Sequence, residues 1–184
     1  MTQGAASRSG ALPGELLMWV LIVSELLVFG AGLAAFLGVR ITDPAGFAEA
    51  QDHLHRTAAA LNTIVLVTSG YLAARALERR EAGRRGAARW HLVVAMALGV
   101  VFVVIKGWEY ADAAAQGIDF ETHSFFLFYY MLTGFHAAHV LAGIVVLGLV
   151  AIWDDARHIE TGAAFWHMVD LVWVLLFPVI YLLA

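Results

Sequence analysis

The sequence contains no cysteine among its 184 residues. Disulfide-stapled scaffolds, zinc–thiolate sites, iron–sulfur clusters and cysteine nucleophiles are therefore excluded. Charged residues are also scarce, at 14% against roughly 25% in soluble domains, whereas apolar residues make up 61% of the chain. So few polar groups cannot cover the surface of a soluble fold of this size. Together with a mean hydropathy of +0.78, the composition indicates a polytopic membrane protein.

An excess of positive charge, which nucleic-acid-binding proteins need, is also missing. The formal net charge is −4 at pH 7, and most of the basic residues lie in one short stretch. This pattern gives no electrostatic footprint for DNA or RNA. We therefore expect no nucleic-acid partner.

Five stretches are long and apolar enough to cross a membrane, for which a helix needs about 20 residues. They cover residues 15–39, 58–77, 91–110, 125–153 and 164–184. None of these stretches alternates polar and apolar residues with the period of two that a barrel strand shows, so each is predicted to be a helix. We expect an all-α fold, with a tail over residues 1–14 and a single five-helix transmembrane domain over residues 15–184.

The distribution of basic residues predicts the orientation of the bundle. Arg8 in the tail and Arg157 in the fourth loop fall on the same side of the membrane as the second loop. By the positive-inside rule this side is cytoplasmic, so the N-terminus is predicted to be cytoplasmic and the C-terminus periplasmic. Six of the eleven basic residues lie in or beside the second loop: Arg75, Arg79, Arg80, Arg84, Arg85 and Arg89.

Ionisable side chains within the spans need partners or a purpose, because each costs about 2.5–3.5 kcal/mol at mid-bilayer on insertion scales. Lys106 and Glu109 share one face of the third span. They can neutralise each other, or they can be met by Asn62 and Thr63 of the second span. We expect them to be a structural ion pair, with a proton-handling role as the alternative.

Two further groups of ionisable residues lie nearer the middle of the membrane. His167 and Asp170 in the fifth span are spaced so that the imidazole can donate to the carboxylate. Glu25 in the first span has no cation within a helical turn, so it is either protonated or paired with His136 or His139 of the fourth span. For Glu25, a packing role and a role in proton handling or subunit contact both remain open.

The pair His136 and His139 has a spacing that allows two imidazoles to bind one metal ion. Only His167 could add a third ligand within the spans, so a free-standing membrane haem or di-iron redox protein is the alternative hypothesis. A proton-coupled transporter using Glu25 is a third hypothesis, which the lack of an internal repeat disfavours. Small residues in the fourth span predict close helix packing instead: Gly134, Gly143 and Gly148.

Five short motifs, one in each span and in chain order, resemble subunit III of the haem–copper oxidase superfamily. The resemblance extends over nearly the whole chain from Glu15 onward. The motifs are Ser24-Glu25, Leu61-Asn62-Thr63, Glu109-Tyr110, the stretch from Thr133 to His139, and Trp166-His167-Met168-Val169-Asp170.

This resemblance implies a non-catalytic integral subunit of a respiratory complex in the bacterial cytoplasmic (inner) membrane. It implies no cofactor in this chain, since haem, and copper in some complexes, would lie in partner subunits. The implied partners are a subunit I-like catalytic haem protein and membrane lipid, including a bound phospholipid. In that family subunit III supports the stability and proton supply of the catalytic subunit. The membrane glutamates of the family pattern fall on Glu25 and Glu109.

The chain also departs from the commonest family pattern. The long form of the family has seven helices, and this chain corresponds to the last five, a form that occurs among bacterial quinol oxidases. Lys106 stands where the oxidase pattern commonly has glutamine. Ile105-Lys106-Gly107 and the Phe177-Pro178 ending look like the subunit III homologue associated with bacterial nitric oxide reductases. The terminal acceptor, oxygen or nitric oxide, therefore remains open.

Overall fold

The computed structural model describes residues 16–183, apart from the side chain of Leu17. The predicted tail over residues 1–14, together with Glu15 and Ala184, lies outside the described residues. The described part of the chain is helical and contains no strand, which confirms the predicted all-α class. Its helices are α1 (Leu16–Arg40), α2 (Pro44–Asp52), α3 (Arg56–Glu81), α4 (Arg85–Ala115), α5 (Ser124–Trp153) and α6 (Ala156–Phe177), which a π-helical turn continues over Pro178–Leu182.

Five of these helices, namely α1 and α3 to α6, are long and apolar enough to span a membrane. The five predicted spans are therefore confirmed, but the helices extend beyond the predicted limits. Helix α4 begins at Arg85 rather than at residue 91, and α6 begins at Ala156 rather than at residue 164. A run of apolar residues marks only the part of a helix that lies in the hydrocarbon core of the membrane, whereas the helix itself continues into the polar headgroup region.

The short helix α2 was not predicted, because hydropathy cannot detect a segment that does not cross the membrane. Its start nevertheless has a clear local cause. Pro44 lies in the first turn, where its missing N–H costs nothing, and the Asp43 side chain accepts a hydrogen bond of 3.1 Å from the N–H of Gly46. Phe47 then packs against the aromatic ring of Phe36 in α1. These contacts fix α2 against the end of the bundle.

Helices α3, α4, α5 and α6 form a four-helix core in which α4 lies diagonally across from α6, while α1 packs beside α5 and α6. Trp166 of α6 lies at the centre of this core. A β-carbon on Gly143 of α5 would lie 2.5 Å from its ring, and one on Gly99 of α4 would lie 2.7 Å away. Its indole N–H donates to Ser69 of α3 at 3.0 Å, and that hydroxyl donates to the carbonyl of Ala95 in α4. One tryptophan thus joins all four helices.

The second and fourth loops meet at one end of the bundle. Asp154, which ends α5 in the left-handed conformation (φ 53°), receives hydrogen bonds from Arg80 on both its carbonyl and its carboxylate. Arg85 and Arg89 lie 3.7 and 3.6 Å from the other carboxylate oxygen. The basic second loop and the acidic fourth loop are therefore in contact on one side, as the orientation requires. Which side is cytoplasmic remains a prediction.

The opposite end carries two imidazole–carboxylate contacts. His55 at the start of α3 lies 2.7 Å from Asp112 near the end of α4. His123 caps α5 through Nδ1, so its Nε2 carries the proton and donates to Asp43 at 3.1 Å. The N–H of Gly46, followed by His123, holds the pKa of Asp43 below its ordinary value. These contacts connect the loops at this end.

Candidate functional site

A buried ion pair lies in the half of α4 near this second end. Lys106 and Glu109 are 1% and 2% exposed, and Nζ lies 3.0 Å from Oε2. Nζ also donates to the hydroxyl of Tyr129 at 3.2 Å and to the hydroxyl of Tyr181. Tyr181 in turn donates to Oε1 of Glu109 at 2.9 Å. The three donors of the ammonium group are all used, so the two residues neutralise each other inside the bundle.

Aromatic rings surround the ammonium group on the remaining sides. Nζ lies 4.6 Å from the ring centroid of Tyr129, 5.1 Å from those of Tyr110 and Tyr181, and 5.6 Å from that of Trp173. Such cation–π contacts contribute most where water is excluded. Sequence reasoning missed Tyr129 and Tyr181 as partners. They could have been expected from the number of donors: a buried ammonium group has three N–H donors, and one carboxylate does not satisfy them all.

Asn62 and Thr63 do not reach the ion pair. The Asn62 amide instead donates to the carbonyl of Phe102 in α4, at a long 3.4 Å. The Thr63 hydroxyl accepts from the indole N–H of Trp173 at 3.0 Å and donates to the carbonyl of Ala59. The polar residues of the second span therefore bind α3 to α4 and α6, rather than supplying ligands to Lys106 and Glu109.

Glu25 lies beside His139, one of the two histidines predicted as its partner. Oε2 of Glu25 is 3.2 Å from Nε2 of His139, although the angle is not that of a hydrogen bond from the imidazole. Nδ1 of His139 lies 2.8 Å from the carbonyl of Phe135 and must donate to it. The other ring nitrogen, Nε2, therefore faces the carboxyl group of Glu25. The structure brings a carboxyl group of α1 next to an imidazole of α5.

His136 plays a different part from its neighbour in the sequence. Its ring is completely buried and stacks on Trp173, with centroids 5.3 Å apart, while Phe102 and Phe29 meet it edge-on at 5.5 and 6.3 Å. Neither ring nitrogen has a hydrogen-bond partner within the described residues. His136 is therefore an aromatic packing group of the core and does not contact Glu25.

His167 is half exposed on the outward side of α6, whereas Asp170 is buried between α6 and α3. Their Nδ1 and Oδ2 atoms are 3.8 Å apart, which is too long for the predicted hydrogen bond. The carboxylate fits against α3 only because residue 70 is glycine, since a β-carbon there would collide with Oδ2. The carboxylate therefore packs closely against α3, but the hydrogen-bonding capacity of the two side chains is not fully used.

The three histidines of the alternative redox hypothesis do not converge on one point. His136 packs against Trp173, His139 faces Glu25, and His167 lies on the outer surface of α6. Within residues 16–183, no three His, Asp or Glu side chains are grouped so that they could hold a metal ion. The three histidines therefore lie in three separate environments rather than around one shared site.

Comparison with known proteins decides the family. A family model described as cytochrome c oxidase subunit III matches residues 14–184. The chain belongs to this family. Cytochrome c oxidase subunit 3 of Thermostichus vulcanus is 30% identical over 177 residues, which cover 89% of this chain and 84% of that protein. The probable quinol oxidase subunit 3 of Staphylococcus epidermidis is 25% identical over 173 residues, covering 90% and 86%.

A third relative, cytochrome c oxidase subunit 3 of Corynebacterium diphtheriae, is 30% identical over 174 residues, covering 88% of this chain and 84% of that protein. The resemblance inferred from the five motifs is thereby confirmed. This chain is a multi-pass membrane protein of the subunit III family, and the pairs described above lie within its five spans.

Proposed function

We propose that this chain is a cofactor-free, non-catalytic subunit of a respiratory haem–copper complex in a bacterial cytoplasmic membrane. Its partner would be a subunit I-like haem protein that carries the redox centres. The chain would stabilise that subunit, bind membrane lipid and support its proton supply. Family membership and relatives named as oxidase subunits support this proposal.

The pair of Glu25 and His139 carries the proposed proton-handling role. Their side chains are 19% and 15% exposed, so the pair can be reached from the outside of this subunit. A carboxyl group and an imidazole placed this close are the two side-chain types that most often accept and release protons in proteins. This arrangement suits a group that holds a proton beside a partner protein.

In a second form of the same proposal, the complex passes its electrons to nitric oxide rather than to oxygen. The observation that favours it is Lys106, which is completely buried where the oxidase pattern commonly has glutamine. The names of the relatives favour oxygen. The two forms differ only in the catalytic partner, and isolating that partner would distinguish them.

The first experiment is to purify the tagged chain from its native membranes in a mild detergent. We expect a haem protein to copurify in stoichiometric amount, and the complex to reduce oxygen or nitric oxide. As a control, a harsh detergent should release this chain without haem absorbance. Haem that stays with the released chain, or a chain that elutes alone from native membranes, would contradict the proposal.

The second experiment tests the proton-handling role by replacing Glu25 with glutamine in the complex. We expect turnover to fall most at high pH, where protons are scarce and a proton-holding group matters most. Ser24→Ala is the matched control, because Ser24 is exposed next to Glu25 and its hydroxyl only bonds the carbonyl of Leu21. A pH profile of turnover unchanged by Glu25→Gln would refute the proton-handling role.

A further inference from the structure

Two shallow grooves flank the outward side of α6. The first, about 390 Å³, separates α6 from α1 and is lined by apolar side chains such as Ile22 and Leu26. The second, about 450 Å³, separates α6 from α3 and is lined by Val67 and Tyr71. His167 and Leu171 border both grooves, and we call these two residues the α6 ridge.

One exposed and one incompletely satisfied polar side chain lie at the α6 ridge or beside it. His167, in the ridge, has 48% of its side chain exposed. Asp170 borders the second groove; its Oδ1 is buried without a hydrogen-bond partner among the described residues, and its Oδ2 lies 3.8 Å from His167, which is too long for a hydrogen bond. His167 is the only basic group of residues 16–183 found within 4.0 Å of this carboxylate. Exposed or unpaired ionisable groups inside a membrane are costly, which indicates that something else covers them.

Lipid cannot supply the missing contacts at this depth. Asp170 lies near the middle of the span from Ala156 to Leu182, roughly 20 Å from its first residue at 1.5 Å per residue. Acyl chains fill this zone of a hydrocarbon core about 30 Å thick, and they contain no hydrogen-bond donor. The headgroups, which do contain donors, lie too far away.

The shape of the surface favours a helix over a small molecule. Small-molecule sites enclose most of their ligand, whereas both of these grooves are partly open to the outside. A ridge of side chains with a groove on either side is the surface that a neighbouring helix packs against. Helix α1, which borders the first groove, is also the least buried of the five spans.

We infer that the α6 ridge and its two grooves seat a transmembrane helix of the partner catalytic subunit, and that this helix places a hydrogen-bond donor against Asp170. The inference rests on the proposed function and adds to it the surface through which this chain binds its partner. The donor would reach Oδ2, which lies over Gly70 at the border of the groove.

Because the chain lacks cysteine, single cysteines can be placed on two opposite faces of the native complex. Leu171→Cys probes the ridge, and Val100→Cys on α4 is a matched control. Both native residues are 49% exposed, and each follows the first residue of its helix by the same number of residues. Helix α4 lies diagonally across the core from α6.

In the complex, we expect a membrane-permeant maleimide to label Leu171→Cys at least about tenfold more slowly than Val100→Cys. The reason is that the reagent can reach Leu171→Cys only when the interface opens locally. The two rates should become equal after the subunits are separated. Equal rates within a complex that contains the haem protein would overturn this inference. If no haem protein copurifies with the wild-type chain, the proposed function itself fails.

Asp170→Ala tests the donor specifically, because it removes both acceptor oxygens of the side chain. We expect the variant chain to dissociate from the complex about threefold to twentyfold faster, the range expected for one interhelical hydrogen bond in a membrane. The thermal stability of the isolated variant checks its folding, and Glu49→Gln on the exposed part of α2 is the control. Dissociation at the wild-type rate would also overturn the inference.

Discussion

Replacing Lys106 with methionine removes the cation from the most completely buried ion pair of the bundle. Glu109, which is 2% exposed, would then lie in the core with only the hydroxyl of Tyr181 as a hydrogen-bond donor. The hydroxyl of Tyr129 would lose its ammonium partner at the same time. The substitution therefore leaves a charge without compensation in a medium that cannot solvate it.

The expected loss in the free energy of unfolding is about 3–5 kcal/mol, the usual cost of removing one partner from a buried pair. This is a large part of a total stability of roughly 5–15 kcal/mol. Glu109→Gln should also destabilise the chain, since it leaves the ammonium group without its carboxylate. The double variant should cost less than the sum of the two single variants, because it contains no uncompensated charge.

These free energies can be measured by unfolding the purified chain with SDS in mixed micelles and following tryptophan fluorescence. Val104→Met on the same helix is the control, because Val104 is exposed to lipid and the change should be nearly neutral. A loss below about 1 kcal/mol for Lys106→Met, or strictly additive single substitutions, would refute the account of this cluster.

The overall fold could be predicted from hydropathy because each span must satisfy its backbone internally and bury apolar side chains in lipid. The same approach gave limits that were too short, since arginine-rich ends such as Arg85 are helical without being apolar. It missed α2 because a nine-residue helix at the end of the bundle needs no long apolar run. Its signal was local, in the Asp43-Pro44 pair that begins it.

Spacing along one helix predicted the contact of Lys106 with Glu109 but not the distance between His167 and Asp170, which are too far apart for the expected hydrogen bond. The spacing of Lys106 and Glu109 determines their shared face, and the structure brings them into contact. For Glu25, depth in the membrane narrowed the partner to two histidines, but the rotation of α5 decides that His139 faces it. The contact of Tyr181 depends on the π-helical turn that follows Pro178, which no sequence pattern specifies.

Two further substitutions test the packing of the core and the joining of the loops. Gly143→Ala should destabilise the chain by about 1–3 kcal/mol, because its β-carbon meets the rigid ring of Trp166, whereas Gly30→Ala should be neutral, since it meets no atom within 4 Å. Arg80→Ala should cost about 1.5–3 kcal/mol, because its hydrogen bonds to Asp154 are partly buried. The same SDS titration measures both effects. If Gly143→Ala and Gly30→Ala were equally stable, the close approach of Gly143 to Trp166 would not be needed for the packing of the core. If Arg80→Ala unfolded at the wild-type SDS midpoint, contacts other than those of Arg80 would join the two loops.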